Sequence, residues 1–559
     1  MARGPRSGRE ILLELLASEG IRYIFGNPGT TELPLIDELS RHGELQYVLA
    51  LQEATAAGIA DGYSLASGRT SFVNLHSVSG LTNGLSNLAN AAANGSPVVF
   101  TAGQQHTRHL IAEPLLGGDT ARLARSLCKW SHEVRHTGEL GIAMRRAFRL
   151  ATAPPSGPVF VSLPMDVLDG VADTIVPPPS RVEAAASDGG ALDGLAELLA
   201  TADSPTIVVG DEVARSGGME AAVRLAEALG APVLGAPLCT HLNFPSTHPL
   251  WRGPLGFDPG EIGASLQEFD RVLALGAPVF LTFLYSPEPA VPDSVELLQV
   301  HPDPGELGRT YAVTLGVAGS PASAAAALAS RLCDRVPEAA RRQRFEEARA
   351  RHERERRELE DAARSRYGRR PLAPIAAAHA LMGSLPEGTI VVDEAVTVGG
   401  FVRAFLRAAE PRTYFFDRGG GLGWGMPAAI GAKLARPDRP VVCLVGDGSA
   451  MYSPQALWTA AHHEVPVVFV VLNNREYRIL KYGLDRLKGG SEASPRYVGM
   501  DLTEPAIDFV ALASSMGVEA RRVESEDEVQ ETLAAALDRG RPLLLEVPIA
   551  GHGKTGTSR

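Results

Sequence analysis

The sequence predicts an α/β protein of three doubly wound domains with mainly parallel sheets. Short apolar runs such as PVVFTAGQ, TIVVGDEV, TIVVDEAV and VVCLVGDG alternate with longer helix-like stretches. That is the pattern of strand–helix–strand units whose strands are buried on both faces. The chain has 559 residues, too many for one core. Two seams of unusual composition divide it into three blocks of domain size, residues 1–168, 193–336 and 372–550.

The N-terminus carries Arg3, Arg6 and Arg9 but lacks an apolar core, and the run from Ile11 to Leu16 reads as a first amphipathic helix rather than a signal peptide. Asp169 to Leu192 is rich in Pro, Ala, Gly and Ser and reads as an interdomain linker. Pro337 to Pro371 interleaves both charge signs (RRQRFEEARARHERERRELEDAARSRYGRR) and reads as a solvated helix joining two domains. The closing GHGKTGTSR is expected to be a disordered tail. A hydrophobic share of 45% and a charged share of 21% are ordinary for a globular protein. The formal charge of -12 argues against a nucleic-acid partner, which needs basic surface. No apolar run is long enough to span a bilayer, so no membrane partner is expected. Cys128, Cys239, Cys333 and Cys443 lack CxxC spacing and read as thiols in a reducing, cytoplasmic compartment.

The most informative stretch runs from Val441 to Asn474. An apolar strand breaks on Gly446-Asp447-Gly448, a helix-like segment follows, and a second apolar strand ends on Asn473 and Asn474. The helix is then a crossover between parallel strands, and the acidic and amide groups emerge together at strand carboxyl ends, where open α/β sheets bind ligands. One carboxylate, one side-chain amide and one backbone carbonyl suit a small hard cation that keeps phosphate oxygens as its other ligands. Glycines flanking Asp447 let the backbone approach those phosphates. His462 and His463, inside this helix, read as structural.

This GDG…NN stretch resembles the thiamine diphosphate motif. FGNPGTTELP (Phe25 to Pro34), LALQEATAAGIADGYS (Leu49 to Ser64), NLHSVSG (Asn74 to Gly80), TAGQQ (Thr101 to Gln105), GAPVF (Gly276 to Phe280) and GGGLGWGMPAAIG (Gly419 to Gly431) extend the likeness over almost the whole chain. The chain resembles the thiamine-diphosphate-dependent decarboxylase superfamily, and within it most closely the benzoylformate decarboxylases. The resemblance names the three blocks as a pyrimidine-binding domain, a central domain and a diphosphate-binding domain. It implies thiamine diphosphate and Mg²⁺ as cofactors, a 2-oxo acid as small-molecule substrate, and a homodimer as minimal unit within a homotetramer. Relatives sometimes hold FAD in the central domain. GDEVARSGGMEAAV lacks G-x-G-x-x-G, so FAD is not expected here.

Carried over residue by residue, the resemblance makes Glu53 the carboxylate that activates the aminopyrimidine, a proton-sharing role. The residues around it in sequence are largely apolar. Leu422 matches the bulky residue that bends the cofactor, Gly420 offers its carbonyl to the amino group, and Thr397 falls near the diphosphate. Asp447, Asn474 and the main chain of Glu476 match the metal ligands, with Gly448, Ser449 and Tyr477 close to the phosphates. Thr30 occupies the position that binds the substrate carboxylate, and His76 that of an active-site histidine. Leu116, Phe416, Ile479 and Leu480 fall at the substrate pocket.

The chain departs from the benzoylformate pattern at several points. Phe283 stands where the family has a second histidine, three residues past GAPVF. Ile479 replaces alanine, Gly483 replaces phenylalanine, and Ala395, Val396 and Val398 replace hydroxyl residues. The expected reaction is nonoxidative decarboxylation of an aromatic or branched, benzoylformate-like 2-oxo acid to an aldehyde and CO₂. The alternative is a carboligase like acetolactate synthase, which joins the same acyl unit to a second carbonyl. A cofactor-free binding protein is the alternative of another class, and Glu53, Asp447 and Asn474 together speak against it.

Overall fold

The computed structural model describes residues 4–180, 182, 187–487 and 497–553. It opens with β1 (Arg6–Ser7) and then builds a first sheet from β2 (Tyr23–Gly26), β3 (Gln46–Leu49), β4 (Ser71–Leu75), β5 (Val98–Gln104), β6 (Ser131–Glu133) and β7 (Val159–Pro164). The strand order is β3-β2-β4-β5-β7-β6, parallel throughout. β8 (Val171–Ala172) returns to pair antiparallel with β1.

A second sheet follows from β9 (Pro205–Val209), β10 (Val233–Gly235), β11 (Trp251–Pro254), β12 (Arg271–Leu275), β13 (Glu296–His301) and β14 (Leu315–Ala318). Its order is β11-β10-β9-β12-β13-β14, again parallel. The third sheet uses β15 (Ile390–Glu394), β16 (Tyr414–Phe416), β17 (Val441–Gly446), β18 (Val468–Asn473), β19 (Glu519–Arg522) and β20 (Leu543–Pro548). It is parallel with order β16-β15-β17-β18-β20-β19. The protein is thus α/β with three six-stranded parallel sheets. The first and third sheets share one topology, and the middle sheet has another.

Strands such as VVCLVG (Val441–Gly446) and VFVVLN (Val468–Asn473) are apolar along nearly their whole length because helices cover both sheet faces. The first and third domains also share one core. Phe25, Val73 and Phe100 of the first sheet belong to the same buried cluster as Trp424, Cys443, Val445 and Phe469 of the third domain. The helices Glu53–Ser67 and Gly425–Ala435 join the two. Gly62 and Gly431 lie at their contact, where an added Cβ would overlap the Ala428 and Ile59 backbones respectively. The central domain has its own core, built around Ile207, Val209, Leu273, Leu275, Leu298 and Val300.

A 27-residue helix, Glu338–Arg364, connects the central and third domains, and Ala363 is its buried residue. It carries i,i+4 ion pairs such as Arg349–Glu353 and Arg351–Glu355. Exposed pairs of this kind add little stability each. Among the described residues no helix is long and apolar enough to cross a membrane. The four cysteines are free.

Candidate active site

The first group of candidate residues gathers at the carboxyl ends of β2, β3 and β4. The sheet order reverses between β2 and β4, and open α/β sheets bind ligands at such a point. Glu53 begins the helix Glu53–Ser67, whose N-cap is Gln52, with its side chain accepting from the Thr55 amide at 3.0 Å. The Glu53 carboxylate receives Asn83 Nδ2 at 3.1 Å and Asn27 Nδ2 at 3.4 Å, and the residue is 8% exposed. Its immediate partners are therefore amides, although its sequence neighbours are apolar. Gly80 faces Glu53 Oε1, and a Cβ there would stand 3.3 Å away, so glycine keeps this side of the carboxylate open.

His76 follows β4 and is held through Nδ1 by Glu32 Oε2 at 2.9 Å and Thr31 Oγ1 at 3.1 Å. The Glu32 carboxylate is almost fully buried. It also receives the Gly29 amide at 2.9 Å, the Gly103 amide at 3.1 Å and the Thr31 hydroxyl at 2.6 Å. Because a carboxylate so placed is an acceptor, Nδ1 donates to it, and Nε2 has no hydrogen-bond partner among the described residues. Gly29 lies so close over the imidazole that an added Cβ would overlap the ring. The next residue, Ser77, adopts a left-handed φ of 49° and buries a hydroxyl without a partner, a strained arrangement of the kind found at functional sites. Thr30 is exposed on the same turn, and its neighbour Thr31 is the residue that reaches His76. Leu116 is half-buried on a loop whose Gly118 packs against Val78 and accepts from Gln104 Nε2 at 2.6 Å, which places the loop beside His76.

The second group gathers at the carboxyl ends of β15, β17 and β18. Asp447 follows β17 and is 3% exposed. Burial pushes its carboxyl up to about 6, although backbone amides including that of Arg475 at 2.7 Å oppose the shift. Asn474 follows β18, and its Oδ1 accepts from the Glu476 amide at 3.0 Å. The Glu476 carboxylate is turned aside and held by Lys481 Nζ at 2.5 Å and by the His552 amide. Gly448 packs against the Tyr477 ring, Ser449 is buried beside it, and Thr397 is half-buried in the turn after β15. Gly420 has a left-handed φ of 73°, and Leu422 is half-buried in the same loop.

Ile479 and Leu480 are exposed on the helix Arg478–Leu487, and around Gly483 there is open space. Phe283 is 74% exposed on a central-domain loop, with its amide donating to Phe257 O at 2.8 Å. Asp258 pairs with Arg486 at 2.8 Å, so this loop and the helix share one edge. Phe416 lies instead at the seam with the central domain, under Arg403 at 5.2 Å, and lines a cavity of about 70 Å³ with Phe257 and Leu242. His463 accepts from the Leu49 amide at 2.9 Å, and His462 stacks on Trp458.

The Glu53 group and the glycine loop lie against one helix, Ser77–Asn94. Glu53 sits over its first turns through Gly80 and Asn83, and the glycine loop meets its last turns through Asn90. Sequence reasoning missed Thr31 and Glu32, although both stand inside FGNPGTTELP. It also missed Asn27, inside the same motif, and Asn83, which no local pattern marks.

Similarity to known proteins extends over nearly the whole chain. The family model for the N-terminal TPP binding domain of thiamine pyrophosphate enzymes matches residues 6–117, the central-domain model residues 192–328, and the C-terminal TPP binding domain model residues 396–547. Benzoylformate decarboxylase of Pseudomonas aeruginosa is 36% identical over 549 residues, covering 96% of this chain and 97% of the relative. Sulfoacetaldehyde acetyltransferase of Alcaligenes xylosoxydans xylosoxydans is 28% identical over 565 residues, covering 96% and 92%. The solved structure of the thiamine diphosphate-dependent 4-hydroxybenzoylformate decarboxylase of Rhodococcus jostii RHA1 superposes with a TM-score of 0.85 at 32% identity, covering 98% and 99%. The chain belongs to the thiamine pyrophosphate enzymes.

Proposed function

We propose that this protein is a thiamine-diphosphate-dependent carboxy-lyase that splits an aromatic or branched 2-oxo acid, without oxidation, into an aldehyde and CO₂. The observation that carries the reading is His76, fixed through Nδ1 by Glu32 and Thr31 with Nε2 left to face a substrate. The 36% identity to a benzoylformate decarboxylase supports the substrate class.

The residues fit the cofactor and its cation. Asp447, the Asn474 amide oxygen and the Glu476 carbonyl are all hard oxygen donors on adjoining loops, and diphosphate oxygens would complete the shell of a Mg²⁺ ion. Bound cation would also favour the charged form of Asp447 that burial disfavours. Gly448, Ser449, Tyr477 and Thr397 would line the diphosphate, and Leu422 and Gly420 the aminopyrimidine. When bound, thiamine diphosphate would supply a nucleophilic carbon and an electron sink for the pair left behind as CO₂ departs.

The protein's own part is proton handling and orientation. Glu53, oriented by Asn27 and Asn83, would share a proton with the pyrimidine ring. His76 Nε2 would hold or protonate the oxygen of the keto carbon, and the exposed Thr30 hydroxyl would hold the substrate carboxylate. Leu116, Phe283, Ile479 and Leu480 would supply the apolar wall for the side chain. Phe416 would bear on that wall through Phe257, with which it lines one cavity and whose carbonyl holds the Phe283 amide.

The same reading calls for a homodimer. Leu33, Leu51, Ile111 and Leu115 are exposed around the Glu53 group, and Met451, Tyr452, Ile479 and Leu480 around the Asp447 group. Apolar surface concentrated at both catalytic groups is the mark of a face that a partner covers.

A second reading, carboligation, is favoured by Phe283 and Gly483. No imidazole stands at residue 283, and the space around Gly483 could admit a second carbonyl compound. General acid catalysis typically contributes on the order of a hundredfold or more. Without it, release of free aldehyde would be slow, and an acceptor could compete. The test is a screen of 2-oxo acids for CO₂ release with product analysis, with and without added aldehyde. Aldehyde as sole product supports the carboxy-lyase, and a 2-hydroxy ketone or acid supports the ligase. Phe283→His should then shift products towards aldehyde. Absence of CO₂ release from every aromatic and branched 2-oxo acid sinks the primary reading.

A further inference from the structure

The glycine loop 417–425 is pinned from both sides, and the pins come from different domains. Within the third domain, Glu394 ends β15 and lies buried under the loop. Its carboxylate receives the amides of Gly423 at 2.7 Å, Trp424 at 3.2 Å and Gly425 at 2.9 Å. Asp417 receives the Gly419 amide at 3.0 Å. The first domain supplies the other grip. Asn90, 1% exposed in the helix Ser77–Asn94, pairs with both backbone groups of Gly421: its Oδ1 accepts from the Gly421 amide at 3.0 Å, and its Nδ2 donates to the Gly421 carbonyl at 2.7 Å.

The amide of Asn90 has one orientation available. Nδ2 also donates to Asn87 Oδ1 at 2.8 Å, and Asn87 Nδ2 in turn donates to the Ala54 carbonyl at 2.7 Å. Flipping Asn90 would set acceptor against acceptor at Gly421 and at Asn87. The approach is close enough that a Cβ on Gly419 or Gly421 would overlap Asn90, which accounts for glycine at both positions. Among the described residues the Gly420 carbonyl accepts from no protein donor, and it stands between pinned neighbours.

We infer that Asn90 is a positioning residue for the cofactor: by holding both ends of the Gly421 peptide it sets where the Gly420 carbonyl and the Leu422 side chain stand. The inference rests on the assignment of Gly420 and Leu422 to the aminopyrimidine. A loop of this kind is otherwise free to move, because glycine has the widest backbone freedom of any residue. The grip fixes it before cofactor arrives, so less ordering cost falls on binding and on each turnover. The relay through Asn87 to Ala54 ties the same loop to the first turn of the helix that carries Glu53.

The test compares Asn90→Ala and the near-isosteric Asn90→Asp with the parent and with Leu422→Ala. Amide hydrogen exchange over residues 417–425 is measured on cofactor-free protein. Exchange of the thiazolium proton and steady-state kinetics are measured on the loaded enzyme. Losing two buried hydrogen bonds should speed loop exchange by about tenfold or more in Asn90→Ala. Thiazolium exchange and kcat should fall together, with the KM for 2-oxo acid changed by less than about twofold, as expected when positioning rather than substrate binding is lost. Asn90→Asp keeps the acceptor for the Gly421 amide but sets a second oxygen against the Gly421 carbonyl and Asn87 Oδ1, so its loop exchange should also rise above the parent's. The aspartate variant serves if the alanine variant fails to fold. Parent-like loop exchange and parent-like thiazolium exchange in both Asn90 variants overturn the inference. If Leu422→Ala slows thiazolium exchange while the Asn90 variants do not, Asn90 alone is wrongly placed. If Leu422→Ala leaves it unchanged, the cofactor assignment falls and the inference with it.

Discussion

Glu53 and Asp447 are both buried carboxylates at strand or helix ends, yet they should fail differently when changed. Glu53→Gln keeps the volume and one of the two acceptors that Asn27 and Asn83 use, so the fold and most thiamine diphosphate affinity should persist. Turnover should drop by about a hundredfold or more, because an amide cannot share the proton. Asp447→Ala should instead abolish cofactor binding in calorimetry, and unchanged affinity would show that the metal lies elsewhere. Thiazolium exchange as fast in Glu53→Gln as in the parent would make Glu53 structural. Much of this was legible in sequence, since GDG…NN sets ligand types at strand ends and LALQEA sets Glu53 at a helix start. Glu32 was harder to read. Its role depends on β2 and β4 lying side by side, so that a turn residue meets a histidine 44 positions away. Phe283 was legible by position, and the Asp258–Arg486 pair accounts for its loop standing beside the Ile479 helix.

The elements were legible wherever their pattern was continuous. VVCLVG and VFVVLN could only be buried strands, and the charged run before Pro371 could only be a solvated helix. Strand order was not legible, because a crossover helix leaves no mark in sequence of the side on which it returns. The packing of Glu53–Ser67 on Gly425–Ala435 was hidden for a similar reason. Both helices are rich in Ala and Gly, but small residues show a close approach only when the facing helix is known. Gly431 has ordinary helical backbone, and a Cβ there would overlap Ile59 and Tyr63 main-chain atoms. Gly431→Val should therefore destabilise by overpacking, by about 1–3 kcal/mol, rather than through backbone strain. Chemical denaturation should show it in the transition that unfolds the first and third domains together. A variant as stable as the parent would mean that the two helices can slide apart at no cost.

At the scale of the whole molecule, the proposed dimer and the three domains make separate predictions. If Glu53 of one chain serves the cofactor held by another, co-expressing Glu53→Gln with Asp447→Ala should restore activity that neither variant has alone, since mixed dimers would contain one intact site. No recovery would place the site within one chain. The three domains of a single chain meet around Asp211, at the start of the turn after β9. This carboxylate, 2% exposed, receives the Thr240 amide at 3.1 Å, the His241 amide at 3.0 Å and Asn243 Nδ2 at 3.2 Å. Arg418 of the glycine loop lies 3.5 Å away, and Arg418 and Arg215 cap the last carbonyls of the helix Ser77–Asn94, at Ala93 and Asn94. Burial alone would raise Asp211, but Arg215, His241 and Arg418, with the His241 amide, together outweigh it and hold the carboxyl below its ordinary range. His241 packs edge-on against Phe415 at 5.6 Å, and its Nδ1 is buried without a partner. Burial, reinforced by Arg215, Arg412 and Arg418, keeps its imidazole neutral against the pull of Asp211. A base whose folded pKa is depressed binds its proton first in the unfolded chain, so stability is complete above the unfolded histidine value of about 6.5 and is lost as pH falls below it. The Asp211 contribution is lost only at lower pH, beneath the unfolded carboxyl value of about 3.9. Between these values the junction should weaken mainly through His241, at no more than about 1.4 kcal/mol per pH unit. The raised carboxyls of Asp417 and Glu394, pushed up by burial to about 7 and about 8, work in the opposite direction and lose stability as pH rises. They are common to parent and variant, so a difference measurement isolates the histidine. His241→Gln should gain on the parent as pH falls from 8 to 5, read as a narrowing and then reversal of the gap between their thermal midpoints. A gap that stays constant over that range would mean that His241 takes up its proton in the folded protein as readily as in the unfolded one.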